Sequence, residues 1–305
     1  MTGYLGRMRI YLAEMFPPGR HLLIATVTYL ATAAFARDAH QVETSVWSAY
    51  LLLGVWSYLS VPLMLRLMDE LKDLDIDRTL FPERALPAGR VKESDIKASL
   101  AAVIVIYLCT NAVHGLTLLA AVVIAAYALL MFKRFFAEEA HRKSLPLTLA
   151  THNPIVPLSL CYGFFLFAGE NDLSLSDLAW GSILMFVLML WMPFLAWEIS
   201  RKIRAPVQED AYVTYTQLLG MRGAIGAVLL VQAIGIAATA SLCVTQSLSW
   251  LILLLPGTAW IVSFWAGIRF LKTPNECTSR LRPFAEGFLV VTIGSALIGF
   301  RAQLL

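Results

Sequence analysis

Asp69-Glu70-Leu71-Lys72-Asp73-Leu74-Asp75-Ile76-Asp77-Arg78-Thr79, followed by Glu83-Arg84-Ala85-Leu86-Pro87-Ala88-Gly89-Arg90, interrupts an apolar chain and decides how that chain is read. Five acids fall within nine residues, directly after an apolar segment, and a basic loop follows them. On a helix, Asp69, Asp73 and Asp77 stand four residues apart and share one face, with Glu70 beside them. Like charges at that spacing repel, so the stripe is a poor way to stabilise a helix. A divalent cation reverses the sign of the interaction. Hard ions such as Mg2+ take carboxylate oxygens, usually those of one or two carboxylates together with water and substrate phosphate. Beside Arg78, Arg84 and Arg90 the stripe therefore has the layout expected for a Mg2+-bound diphosphate. The plainer reading is a solvated mixed-charge loop at a membrane edge. Such a loop has no reason to keep three aspartates in helical register.

Working outward, the rest of the chain is apolar. Its 305 residues are 58% hydrophobic and only 15% charged, against about 25% charged in ordinary soluble domains. The mean hydropathy is +0.69. Apolar runs near membrane-spanning length recur throughout, which predicts an all-α, polytopic membrane protein. Nine spans are expected, at 21–36, 46–68, 96–114, 116–132, 146–168, 178–198, 223–243, 248–271 and 283–300. Pro146, Pro154 and Pro157 predict that the fifth is kinked or broken. No linker separates soluble domains, so residues 1–305 read as a single transmembrane domain. Residues 1–20 precede the first span, and 4–16 alternate apolar and charged positions as an interfacial helix does. Ala34-Phe35-Ala36 loosely resembles a signal-peptide cleavage site, but a retained first helix is the expectation.

Lysines and arginines set the orientation. With the N-terminus in the cytoplasm, nearly all of them fall on the cytoplasmic side, and only Arg37 and Arg301 fall opposite. The net charge of +3 is thus a topology signal that implies no nucleic-acid partner. A bacterial inner membrane is the expected location. Polar chemistry concentrates in the cytoplasmic loops, so function is expected there.

A second acid-bearing helix end reads Trp197-Glu198-Ile199-Ser200-Arg201-Lys202-Ile203-Arg204-Ala205-Pro206-Val207-Gln208-Glu209-Asp210. Two acidic clusters, each ending a long apolar helix, could face each other across a bundle opening. Basic residues near an anionic lipid surface explain Arg201, Lys202 and Arg204 equally well, but leave Glu198 unexplained. Lys133-Arg134 after the fourth span serves topology or phosphate binding alike. Asn153, inside the proline-broken span, lines a cavity or glues helices together. Cys109, Cys161, Cys243 and Cys277 lack metal-binding spacing and read as small buried hydrophobes.

Over essentially its full length the chain resembles the UbiA superfamily of intramembrane prenyltransferases. Asp69-Glu70-x-x-Asp73-x-x-x-Asp77 is similar to the family's N/D-D-x-x-D-x-x-x-D motif, with Glu70 for the usual aspartate. Arg84-Ala85-Leu86-Pro87-Ala88-Gly89 is similar to the R-P-L-P-S-G-type loop, and Lys133-Arg134 to the Lys-Arg pair ending the fourth helix. The second motif, D-x-x-D-x-x-x-D, departs. Glu198, Arg201 and Ala205 occupy its three positions, and Glu209 or Asp210 stands for the last acid after a short insertion.

The resemblance implies a UbiA-like bundle around a central cavity open to the cytoplasmic side. It implies a Mg2+-dependent enzyme that ionises an allylic isoprenyl diphosphate and transfers the prenyl group to a lipophilic, aromatic acceptor within membrane lipid. Asp69, Glu70, Asp73 and Asp77 would hold one Mg2+, and Glu198 with Asp210 a second. Arg78, Arg84, Lys133, Arg134 and Arg201 would bind the diphosphate, while Asp73, Asp77 and Glu198 carry the catalytic role. Arg201 or Lys202 supplies charge where a metal is missing. Arg9, Arg20 and Asn153 are the candidates for contact with the acceptor. The alternative is a terpene cyclase of the same superfamily, which uses the cation without an acceptor. A cation transporter is a further class, disfavoured by the Arg- and Lys-rich surroundings of the acids and by the lack of an evident inverted repeat.

Overall fold

The computed structural model describes residues 3–209 and 213–300, and helices are the regular structure among them. They are α1 (Tyr4–Met15), α2 (Pro18–His40), α3 (Ala49–Lys72), α4 (Leu74–Leu80), α5 (Glu93–Thr110), α6 (Gly115–Phe132), α7 (Glu138–Lys143), α8 (Leu145–His152), α9 (Ile155–Glu170), α10 (Trp180–Ser200), α11 (Tyr215–Thr245), α12 (Leu254–Lys272) and α13 (Arg282–Gly299). Among the described residues, α2, α3, α5, α6, α10, α11, α12 and α13 make eight helices long and apolar enough to cross a bilayer. The chain is an all-α, polytopic membrane protein. The remaining predicted span, 146–168, is divided between α8 and the 16-residue α9. The break falls at Asn153-Pro154, where proline lacks the N–H a continuous helix needs. Pro62 and Pro193, by contrast, lie inside α3 and α10 without ending them, as lipid-embedded helices tolerate when neighbours satisfy the freed carbonyl.

Two compact units divide the chain. The first takes the chain up to Leu30, Trp47–Glu139 and Tyr162–Leu173. Its interior contains a buried polar knot. Asn111 Nδ2 donates to Ser57 Oγ at 3.1 Å and to the Tyr107 carbonyl at 2.8 Å. The Tyr162 hydroxyl lies 2.6 Å from Asn111 Oδ1 and 2.8 Å from Ser57 Oγ. Polar groups in hydrocarbon have no water to bond, so they pair with one another across helices. Close approach is set by Gly54, where a Cβ would lie 2.1 Å from the Tyr29 ring.

At the other end of this unit, α1 does more than lie at an interface. Tyr11, Leu67, Leu74, Ala85, Leu86, Val91 and Ile96 form one buried cluster, which joins α1 to α3, α4, the following loop and α5. Three polar fastenings surround it. The Arg7 guanidinium grips Asp95 with two bonds of 2.6 and 2.7 Å, the Tyr4 hydroxyl meets Ser99 Oγ at 2.7 Å, and Arg90 pairs with Glu14.

The second unit takes Ala31–Val46, Ala140–Cys161 and the chain from Ser174 onward. Its core joins α10, α11 and α12 through Ala196, Ile199, Tyr215, Ala224, Ile225, Val228 and Phe270. Gly267 lets α12 approach α11: a Cβ there would come within 2.7 Å of Ile225. Phe35 stacks on Phe186 with 4.3 Å between ring centroids, and Phe300 meets Phe35 edge-on at 5.1 Å. Arg37, one of the two basic residues predicted on the far side, is buried and donates to the carbonyls of Thr44 and Ser45 at 2.8 and 3.2 Å. The other, Arg301, lies outside the described residues.

Candidate functional site

In the first unit, α3 ends at Lys72, turns at Asp73 (φ −102°, ψ 8°) and restarts as α4. The turn does not lose register. Asp73 N donates to the Asp69 carbonyl at 2.9 Å and Asp77 N to the Asp73 carbonyl at 2.8 Å. The three aspartates therefore keep the four-residue stagger that their spacing predicts.

Each acid of the stripe meets a cation. Lys72 Nζ lies 2.6 Å from Asp69, Arg134 3.4 Å from Asp73, Arg84 2.8 Å from Asp77 and Arg78 3.0 Å from Asp75. Glu70 pairs with Arg66, one turn earlier on α3. Exposure separates the carboxylates. Side chains of Asp69 and Asp73 are 47% and 38% exposed, while those of Glu70 and Asp77 keep 1% and 9%. Burial pushes the Asp73 carboxyl above the ordinary aspartate range in spite of Lys72 and Arg134.

The loop after the stripe explains its own composition. Ala88 N bonds to the Arg84 carbonyl, Gly89 N to that of Leu86 and Val91 N to that of Ala85. The closure needs a left-handed residue, supplied by Gly89 at φ +71°. Arg84 is aimed at Asp77 while its guanidinium covers the Phe81 ring at 3.9 Å. Arg78 is exposed and turned to Asp75 instead.

The Lys133-Arg134 pair sits on an unusual turn. Lys133 caps α6, and Arg134, Phe135 and Phe136 then take φ of 48°, 50° and 57° in succession. Left-handed backbone costs about 1–2 kcal/mol per non-glycine residue. Favourable contacts offset it: Phe135 meets Tyr127 edge-on at 5.5 Å, and Arg134 bonds Glu138 at 2.6 Å as well as Asp73. The turn thus delivers Arg134 to the stripe, whereas Lys133 Nζ lies over the Phe132 ring.

In the second unit, Glu198 ends α10 with Arg201 Nε at 2.7 Å and Lys202 Nζ at 3.7 Å. Ala205 is fully buried, and Glu209 accepts from the Thr214 hydroxyl at 2.8 Å at the start of α11. Asp210 lies outside the described residues. Asn153 accepts a hydrogen bond from Trp191 Nε1 at 2.5 Å, which ties the α8–α9 break to α10. Arg66, Tyr11, Trp197, Arg282 and Glu286 escaped sequence reasoning. Arg66 with Glu70, and Arg282 with Glu286, carry a local signal in their four-residue spacing. Among the described residues, the hydroxyl of Tyr11 and Nε of Arg66 are buried and meet no hydrogen-bond partner.

Among the described residues, no three His, Cys, Asp or Glu side chains converge as an ion cage. The stripe instead fits a hard divalent cation held by one or two carboxylates and completed by water and phosphate oxygens. Asp69 and Asp73 are the reachable oxygen donors.

No protein-family model and no curated protein sequence matches the chain. Solved structures do. A digeranylgeranylglyceryl phosphate synthase superposes with TM-score 0.66 at 14% identity, over 97% of this chain and 99% of that one. A UbiA homologue from Aeropyrum pernix K1 in its apo state gives 0.65 at 18% identity, over 90% and 96%. A UbiA homologue from Archaeoglobus fulgidus bound to DMAPP and Mg2+ gives 0.51 at 13% identity, over 95% and 99%. The fold of this chain is that of the UbiA homologues.

Proposed function

We propose that this UbiA-fold membrane protein is a Mg2+-dependent intramembrane prenyltransferase, which ionises an allylic isoprenyl diphosphate and passes the prenyl group to a lipophilic acceptor. The observation that carries the reading is the acid stripe, in helical register and joined by Arg134 and Arg84 from elsewhere in the chain. A structural relative bound to DMAPP and Mg2+ supports it.

In this reading the allylic C–O bond breaks heterolytically. Its electron pair leaves with the diphosphate, a nucleophilic carbon of the acceptor bonds to the cation, and the acceptor then loses a proton. Bound Mg2+ would neutralise charge on the leaving diphosphate. Asp69 and Asp73 supply its carboxylate oxygens. Asp77 and Glu70, enclosed and paired with Arg84 and Arg66, hold those cations in place. Arg134 and Arg84 donate charge-assisted hydrogen bonds to phosphate oxygens, and Lys133 and Arg78 add positive charge around them. Glu198 holds Arg201. An N-terminus on the cytoplasmic side completes the proposal.

A second reading, terpene cyclisation without an acceptor, draws on the departure at Arg201 and Ala205 from the second acid motif. Diphosphate release by the purified protein separates the two. It is followed with C10, C15 and C20 allylic diphosphates, with and without Mg2+, and with extraction of organic products. Release that needs both Mg2+ and an added lipophilic aromatic acceptor supports transfer. A cyclic hydrocarbon or alcohol formed without acceptor supports cyclisation, and no turnover in any arm refutes both.

A further inference from the structure

In the second unit, α10 and α13 meet at the Trp197 indole. Arg201 follows the last residue of α10 and Arg282 is the first of α13, and their guanidinium carbons lie 5.3 and 5.5 Å from the centroid of that one ring. Carboxylates hold both in place. Arg201 bonds Glu198 through two nitrogens at 2.7 and 2.9 Å. Arg282 Nε bonds Glu286 Oε1 at 2.9 Å, and Trp197 Nε1 donates to the same oxygen at 3.1 Å. Lys202 also lies 3.7 Å from Glu198, so three cations share the carboxylates of Glu198 and Glu286 while two of them cover the indole.

The arrangement leaves recognition chemistry over. A guanidinium has five N–H donors in a fixed fork. The bonds just described take two from Arg201 and one from Arg282, and both side chains remain about half-exposed at 43% and 50%. The first turn of α13 carries no side-chain cap, so the positive end of that helix lies at Arg282 as well. Stacking on the indole and the carboxylate brackets fix the forks beforehand, which lowers the ordering cost of binding.

We propose that Trp197, Arg201 and Arg282 form, within the second unit, a metal-independent site for the phosphate-type oxyanion of free diphosphate. Where the second acid motif of the superfamily would gather a metal ion, this chain gathers two arginines on a tryptophan. Topology-setting charge does not require that arrangement, because arginines in that role need only reach the surface. An anionic lipid headgroup offers the same oxyanion, and the test therefore carries both.

The full-length protein in an uncharged detergent is titrated calorimetrically with inorganic diphosphate in EDTA. In parallel it is placed in phosphatidylcholine nanodiscs with and without phosphatidylglycerol. The expected result is saturable diphosphate binding in EDTA, weakened at least tenfold by Arg201→Gln and by Arg282→Gln and unchanged by Arg280→Gln, a neighbour paired with Glu276. Should Arg282→Gln fail to fold, Arg201→Gln at a half-exposed helix end decides the matter. Undetectable binding in EDTA overturns the site, as does binding indifferent to both arginines. A response confined to phosphatidylglycerol overturns it too. Metal-dependent prenyl transfer without EDTA binding sinks this site alone, whereas EDTA binding without any transfer upholds the site and sinks the enzyme.

Discussion

The Arg134 guanidinium lies 3.4 Å from the Asp73 carboxylate across 61 residues of chain. It arrives there on a left-handed turn and is bracketed by Glu138. Arg134→Gln is expected to lower kcat for diphosphate release about 10²–10³-fold, the usual cost of losing one charge-stabilising donor. It should hardly move the unfolding midpoint, because partly exposed ion pairs contribute about 0–1 kcal/mol. A loss below tenfold would show that the pairing is structural.

Removal of divalent cations should abolish release, and Mg2+ should restore it. Asp69→Asn and Asp73→Asn are each expected to raise the Mg2+ concentration for half-maximal rate at least tenfold. Glu70→Gln should act on stability instead. Its cost stays below the roughly 3–5 kcal/mol of a fully buried pair, since Arg66 keeps 29% exposure. Mg2+ titrations beside thermal midpoints separate the two classes.

Gly54→Ala places a methyl group 2.1 Å from the ring of buried Tyr29. Overpacking of this kind costs about 1–3 kcal/mol. The double variant Gly54→Ala/Tyr29→Ala should be less destabilised than the sum of its parts, as read from denaturant midpoints. Strict additivity would mean that the ring moves aside freely.

Within the polar knot, Asn111→Ala should cost more than Tyr162→Phe. Asn111 bonds Ser57, Tyr162 and the Tyr107 carbonyl, so its loss leaves several groups unsatisfied. The phenol contributes one hydroxyl. Interhelical bonds in membranes average about 0.6 kcal/mol and reach about 1.7, which bounds Tyr162→Phe. Equal losses from the two variants would dissolve the idea of a shared node.

Gly89→Ala meets no atom within 4 Å, yet Gly89 has φ +71°. The expected loss is therefore purely conformational, about 1–2 kcal/mol, and Gly89→Asn should recover part of it because asparagine tolerates that region. A thermal-midpoint series over Gly, Asn and Ala tests the ranking.

The fold was legible where the chain makes its case locally. Hydropathy located eight of the helices, Pro154 marked the divided span, and the spacing of Asp69, Asp73 and Asp77 survived a turn in the backbone. The Arg84–Gly89 loop follows from its glycine. What escaped was carried by partners remote in sequence. Amphipathic alternation placed α1 at an interface, but gave no hint that Tyr11 would be enclosed with Leu67 and Leu74 or that Arg7 would grip Asp95. Nothing around Trp197 announces Arg282 or Glu286, because two helices must first pack before the indole unites them. The left-handed turn after Lys133 contains no glycine, the usual residue for such backbone, so its sequence argues against the conformation it adopts.

The fastening of α1 also sets an order of construction. Arg7 and its partner Asp95 are 88 residues apart, and at about 5–20 residues synthesised per second the first is made roughly 4–18 s before the second. For that interval the Arg7 guanidinium waits for its partner, although Leu67, Leu74, Ala85 and Leu86 are already available to Tyr11. The acid-bearing end of the first unit is thus completed only after α5 has begun to emerge. A rare-codon pause between Gly89 and Asp95 would lengthen the time that Arg7 spends without Asp95.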